Sequence, residues 1–167
     1  MAKRISKDVP LSEITLRRYE KPINLSGREL VRKLCLSLGL LQPGDSRDVV
    51  VDVLCVMLEA RKELGCEEVV ERVIRLRKEN NLELLGIASS NIRRQLRRLK
   101  ELFLVEKIAN TYRIHELSSV KEVFRENVEG FLLPSILKRI NEYINRVDAE
   151  FSKLQSNEEQ PELKATE

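Results

Sequence analysis

Arg93, Arg94, Arg97 and Arg98 crowd one short run, SSNIRRQLRRLKELF, and Ser89, Ser90 and Asn91 precede them. A guanidinium neutralises phosphate and donates paired hydrogen bonds to the major-groove edge of guanine, while an Asn amide pairs in the same way with adenine. The run also carries Ile92, Leu96, Leu99 and Phe103 at i, i+4, i+7 and i+11, the spacing of one helix face. A helix over residues 89–103 is therefore expected to bury that face and to turn its arginines outward. Ser89 is placed to cap its first free amides.

After Phe103 the period shortens. Leu104, Val105 and Ile108, then Tyr112 and Ile114, flank the turn-forming Asn110, which predicts a short β-hairpin with Lys107 and Arg113 on its outer side. Together the helix and hairpin resemble the recognition helix and wing of the winged helix-turn-helix superfamily, in its broad bacterial and archaeal regulator form. The residues that carry the resemblance are Ser89 and Ser90 at the helix entry, the basic residues around Leu96 and Leu99, and Leu104–Val105 before the hairpin. It covers roughly residues 46 to 115 and implies double-stranded DNA as partner. Asn91, Arg94 and either Arg93 or Arg97 would read base edges, and Ser89, Ser90, Arg98, Lys107 and Arg113 would hold the backbone. One departure is Phe103, which stands where many such regulators carry Gly at the helix-to-strand corner. The superfamily also contains members that bind proteins, so a winged-helix protein-interaction module is the alternative.

The elements that must position this segment can be read on either side. Ser26 and Glu29 have capping-box spacing, and Leu30, Val31, Leu34, Cys35 and Leu38 follow as the apolar face of a helix ending near Gly39. Arg28, Arg32 and Lys33 are expected on its solvated faces. Asp45 or Ser46 should cap a strongly apolar helix running from Val49 to Leu64 and stopping at Gly65. A further amphipathic helix is predicted from Cys66 to Asn80. Pro10 and Pro22 bracket a segment short enough for one or two helical turns, and Lys3, Arg4 and Lys7 form a basic arm.

Beyond the hairpin, Ser119 and Glu122 predict another capping box, with Gly130 closing its helix and Pro134 in the first turn of a last, long one. Leu133, Ile136, Ile140, Tyr143, Val147 and Leu154 follow steps of three and four with Glu150 interrupting, and Ile144 and Phe151 widen the stripe. This is a coiled-coil-like seam on a helix on the order of 30 Å long, more than a small domain covers. A homodimer is the economical expectation; the alternative is a helix folded back on residues 26–39. The expected organisation is an arm and helix over 1–45, the winged domain over 46–115, dimerisation helices over 116–155 and a disordered acidic tail over 156–167.

The 167 residues, 42% hydrophobic, 34% charged and 4% aromatic, fit a helical globular protein. A net charge of +3 is too mild to demand a nucleic-acid partner by itself; the clustering is what points there. Cys35, Cys55 and Cys66 stand singly, with no CxxC spacing and one histidine, His115, so neither zinc nor a disulfide framework is expected. No glycine-rich phosphate loop, HExxH or GxSxG occurs, and no catalytic role or cofactor is expected. No residue marks a small-molecule effector. No apolar run reaches the ~20 residues of a membrane span, and residues 1–10 lack a signal-peptide core, so the cytoplasm is the expected location.

Overall fold

The computed structural model describes residues 9–158, with side chains as far as Ser152. Lys3, Arg4 and Lys7, most of the acidic tail and the Leu154 side chain lie outside the described residues. The chain is mainly helical, with a small three-stranded antiparallel sheet and a long C-terminal helix. Its elements are α1 (Gly27–Ser37), α2 (Val49–Ala60), β1 (Leu64–Gly65), α3 (Cys66–Glu79), α4 (Ser89–Glu101), β2 (Val105–Ile108) and β3 (Thr111–Ile114). A 3₁₀ turn (His115–Leu117) leads to α5 (Val120–Val123), a π-helical stretch (Phe124–Leu132) and α6 (Leu133–Glu158).

α2 is the central post. Every residue from Val49 to Met57 is buried, and α1, α3 and α4 all pack against it. So many β-branched valines disfavour an isolated helix by a few tenths of a kcal/mol each, but burying each apolar side chain returns about 1.5–3 kcal/mol, so packing decides the conformation. The helix is shorter than expected: it ends at Ala60, Arg61 takes a left-handed φ of 47°, and Leu64–Gly65 forms β1 instead of a last helical turn. β1 pairs with β3, which also pairs with β2, giving the strand order β1-β3-β2. The hairpin was legible; its third strand, two residues long, was not.

Two expected caps are absent. Ser26 precedes α1 but makes no side-chain cap bond, and α2 starts after Asp48, not Asp45 or Ser46. Asp48 is occupied elsewhere, in a group that corrects the placement of Arg28 and Arg32. Arg28 Nε lies 2.7 Å from Asp52 Oδ1 and its Nη2 2.8 Å from Asp48 Oδ2, while Arg32 Nε lies 3.6 Å from Asp48. Arg77 of α3 completes the group, pairing with Asp52 and reaching Asp48 at 3.4 Å and the Glu83 carbonyl at 2.7 Å. Asp52 is 0% and Arg77 4% exposed. Turning Arg28 inward also explains why Leu36 is buried while Leu30, expected on the apolar face, is exposed.

Residues 11–22 form no helix. The segment runs extended across the body, with Ile14 and Tyr19 against the core and Arg17 donating to the Leu41 carbonyl at 2.8 Å and Gln42 Oε1 at 2.6 Å. Gly39 is indispensable to this crossing: at φ 70° a Cβ there would meet Thr15 Cβ at 2.5 Å.

At the other end, the Ser119–Glu122 capping box is present. Gly130 does not close the helix, which continues through the π-helical stretch into α6. The buried residues Val123, Val128, Leu132 and the half-buried Ile136 fall at steps of five, four and four. That period is wider than 3.6, and i→i+5 bonding meets it. From Leu137 to Ser152 every residue is exposed, so α6 does not fold back on α1 but projects from the body.

Candidate nucleic-acid interface

Ile92, Leu96 and Leu99 are 0% exposed, and they seat α4 on α2 and α3. α4 ends in a left-handed turn: the Leu104 amide donates to the Leu99 carbonyl at 3.0 Å and the Phe103 amide to Lys100 at 2.9 Å. This is the Schellman arrangement, usually closed by Gly at the residue that here is Phe103, φ 59°. A left-handed non-glycine residue costs roughly 1–2 kcal/mol. The Phe103 ring offsets part of this by meeting Phe131 edge-to-face at 6.2 Å, a pairing worth about 0.5–1.5 kcal/mol. The exit from the helix is thereby tied to the π-helical stretch.

The arginines of α4 do not share one environment. Arg94 and Arg97 are exposed, and among the described residues neither has an ion-pair or hydrogen-bond partner. With Ser90, also exposed, they form a ridge at steps of four and three opposite the buried face. Arg93 is exposed but pairs with Glu67 of α3 at 3.2 Å. Arg98 is half-buried and donates to the Leu40 carbonyl at 2.6 Å and to Gln95 Oε1 at 3.1 Å.

Asn91, expected to read bases, is held by the fold. Its Nδ2 donates to the Gly86 carbonyl at 2.7 Å and its Oδ1 accepts from Gln95 Nε2 at 2.9 Å. Ser89 is not the N-cap. Ala88 holds that place, and the Ser89 hydroxyl lies 3.4 Å from Glu67 Oε2. Gln95, which joins Asn91 to Arg98, went unnoticed in the sequence because nothing in its spacing distinguishes it.

On the hairpin, Lys107 stands opposite Tyr112 and Glu106 opposite Arg113. Cross-strand partners share a face and neighbours alternate, so Lys107 and Arg113 point to opposite faces rather than both outward. Lys107 is exposed, its Nζ 5.8 Å from the Tyr112 ring centre. Arg113 is bound to Glu106 at 2.7 Å and to Glu63 at 3.4 Å. Burial raises the Glu106 carboxyl pKa, but the Glu116 amide and the Arg113 guanidinium outweigh it and hold the group below the usual carboxylate range. The turn's left-handed residue is Ala109, φ 51°, not Asn110.

On the second candidate surface, Leu133 and Ile136 are half-buried against their own chain, while Ile140, Tyr143, Ile144, Val147 and Phe151 are exposed. Leu137, absent from the expected seam, is 50% exposed. With it the series Leu133, Leu137, Ile140, Ile144, Val147, Phe151 runs in steps of four and three without interruption, and Glu150 falls beside the seam rather than in it. The rotation of Ile136 toward the core was the missing information.

Burial pushes the Cys35 thiol up to about 12 and the Cys55 thiol up to about 11, so neither supplies a thiolate at neutral pH. Among the described residues no group of three His, Cys, Asp or Glu side chains could hold a metal ion, and no helix is long and apolar enough to cross a membrane. Compared with family models, curated proteins and solved structures, the chain matches none of them.

Proposed function

We propose that the protein is a DNA-binding protein of winged helix-turn-helix type, acting as a homodimeric transcriptional regulator with α4 in the major groove. The observation that carries this reading is the ridge of Ser90, Arg94 and Arg97, unpaired and outward on a helix whose opposite face is completely buried. The element order α2-β1-α3-α4-β2-β3 and the sheet order β1-β3-β2 are compatible with a winged helix. Arg94 and Arg97 read base edges, and Lys107 meets the backbone from the hairpin. The exposed α6 stripe, on a helix of about 39 Å, pairs with a second copy and presents two heads to half-sites about 34 Å apart.

A winged-helix module that docks on an acidic protein surface is the second reading. It is favoured by the intramolecular partners of Asn91, Arg93 and Arg113, which leave fewer free groups for DNA than the sequence promised.

Selection of bound fragments from genomic DNA, followed by affinity measurement at 50 and 200 mM salt, separates the two. The DNA reading requires an enriched duplex whose affinity falls steeply with salt; no enrichment, or salt-independent affinity, defeats it. Light scattering tests the dimer: a chain stopped after Arg139 keeps Ile136 on the core, loses most of the stripe, and is expected at the mass of a single shortened chain, whereas the full-length protein is expected at twice its 19.4 kDa chain mass.

A further inference from the structure

Beside α4 runs an open trough of ≈ 770 Å³, walled by the 41–47 loop on one side and Leu85–Gly86 on the other. Arg47, Arg94 and Arg98 all line it, and none of these guanidiniums is ion-paired among the described residues. The trough's one carboxylate, Asp45, accepts the Arg47 backbone amide at 2.9 Å. On the flank of α4 facing α3 the charge is compensated, since Arg93 meets Glu67 there. Two of the helix's guanidiniums without an ion pair, Arg94 and Arg98, therefore line the trough, while Arg97 lies outside it.

The floor is fixed in advance. A chain of hydrogen bonds crosses it from the Gly86 carbonyl through Asn91 and Gln95 to Arg98 and the Leu40 carbonyl. All of Arg98's acceptors are neutral, so its half-buried positive charge is immobilised without being cancelled. Gly86 allows the wall to come this close: at φ 73° a Cβ would sit 3.1 Å from both Asn91 Nδ2 and Val49 Cγ2. The 41–42 wall is held from behind by Arg17. A solvent-open channel lined by three guanidiniums, of which Arg98 is held in place, suits a tetrahedral anion of a chain that passes through, because Arg donates in a fork to phosphate oxygens.

We propose that this trough is a phosphate track: it takes backbone phosphates of the nucleic acid that α4 engages, with Arg47 gripping from the loop and Arg98 from the floor. The inference rests on the DNA reading above and adds Arg47 to the interface. Phosphate chemistry admits two sources, a nucleic-acid backbone or a free nucleotide, and the track favours the first because it adjoins the exposed ridge of α4, with Arg94 common to both.

The test uses the full chain and a duplex recovered by the genomic selection, with affinity followed from 50 to 200 mM salt. Arg47→Ala, an exposed change, is expected to weaken matched and unmatched duplexes alike and to lower the log–log salt slope by about one. Arg75→Ala, on the exposed side of α3, removes the same charge and is expected to leave the slope unchanged. Equal slopes for Arg47→Ala and the unaltered protein would overturn the track while leaving the DNA reading intact. Failure of the unaltered protein to bind any duplex would overturn both. As the second arm, a nucleoside triphosphate is titrated while the Arg side-chain NMR signals are followed. Saturation of Arg47 and Arg98 by the triphosphate at lower concentrations than the duplex needs would assign the site to free nucleotide and overturn the backbone source; triphosphate binding weaker than that of the duplex, or absent, supports it.

Discussion

Two sets of arginines in this chain look alike on paper and behave as opposites. Arg28 and Arg77 sit between α1, α2 and α3 with Asp48 and Asp52, where charge is removed from water and matched. Arg94 and Arg97 sit exposed on α4 and, among the described residues, form no ion pair. A charge taken out of water must be paired or it destabilises the fold by several kcal/mol, whereas an exposed one costs almost nothing to leave alone. The first set is thereby committed to the fold, and the second is free for a partner.

The largest test of that contrast is Asp52→Ala. It leaves two inward-facing guanidiniums to share the one carboxylate of Asp48 and is expected to cost about 3–5 kcal/mol in chemical denaturation; a loss under 1 kcal/mol would mean the cluster contributes little. Next, Arg94→Ala is expected to relax sequence preference and to weaken binding of a matched duplex by about 1–3 kcal/mol in a fluorescence-anisotropy titration. An unchanged preference would remove Arg94 from base reading.

Acid sharpens the same comparison. Burial raises the Asp48 carboxyl pKa, but the hydrogen bond and charge of Arg28, with Arg77 behind it, bring it below its ordinary value. Burial lowers the Arg28 pKa and its two aspartates more than restore it. A carboxyl depressed on folding contributes stability that is complete above its unfolded pKa of about 3.9 and lost as the pH falls through the lower folded value. Melting temperature should therefore hold near neutrality and drop below about pH 4, and Asp48→Asn should flatten that part of the drop. Smallest of all, Arg97→Ala should leave stability within about 0.5 kcal/mol of the unaltered protein; a larger loss would place Arg97 with the structural set.

Periodic apolar positions were the legible part of the fold. The faces of α3 and α4, the hairpin and the Ser119–Glu122 cap all follow from local spacing, and α4's exposed ridge follows from its buried one. What escaped depends on contacts distant in sequence. Arg28 and Asp52 are far apart along the chain, and no local pattern says that they meet. Glu67, which occupies Arg93, and Leu40, which holds Arg98, lie on other elements. Phe103 was readable as an anomaly, but its reason, the ring of Phe131, was not. Charged residues were misjudged more often than apolar ones because burial constrains an apolar side chain to one face, while a guanidinium on a flexible stem can turn either way.

The wide turns at Phe124–Leu132 act as a phase setter for everything beyond them. Gly130 marks how tight the winding is, since a Cβ there would lie 3.2 Å from the Arg125 carbonyl oxygen. Deleting one residue from this stretch would let it rewind as ordinary α-helix and swing the compass bearing of the Leu137–Phe151 stripe by about 100°. A protomer docked along that stripe would be carried round with it, so the relative aim of two α4 ridges is set by a coil segment that touches neither of them.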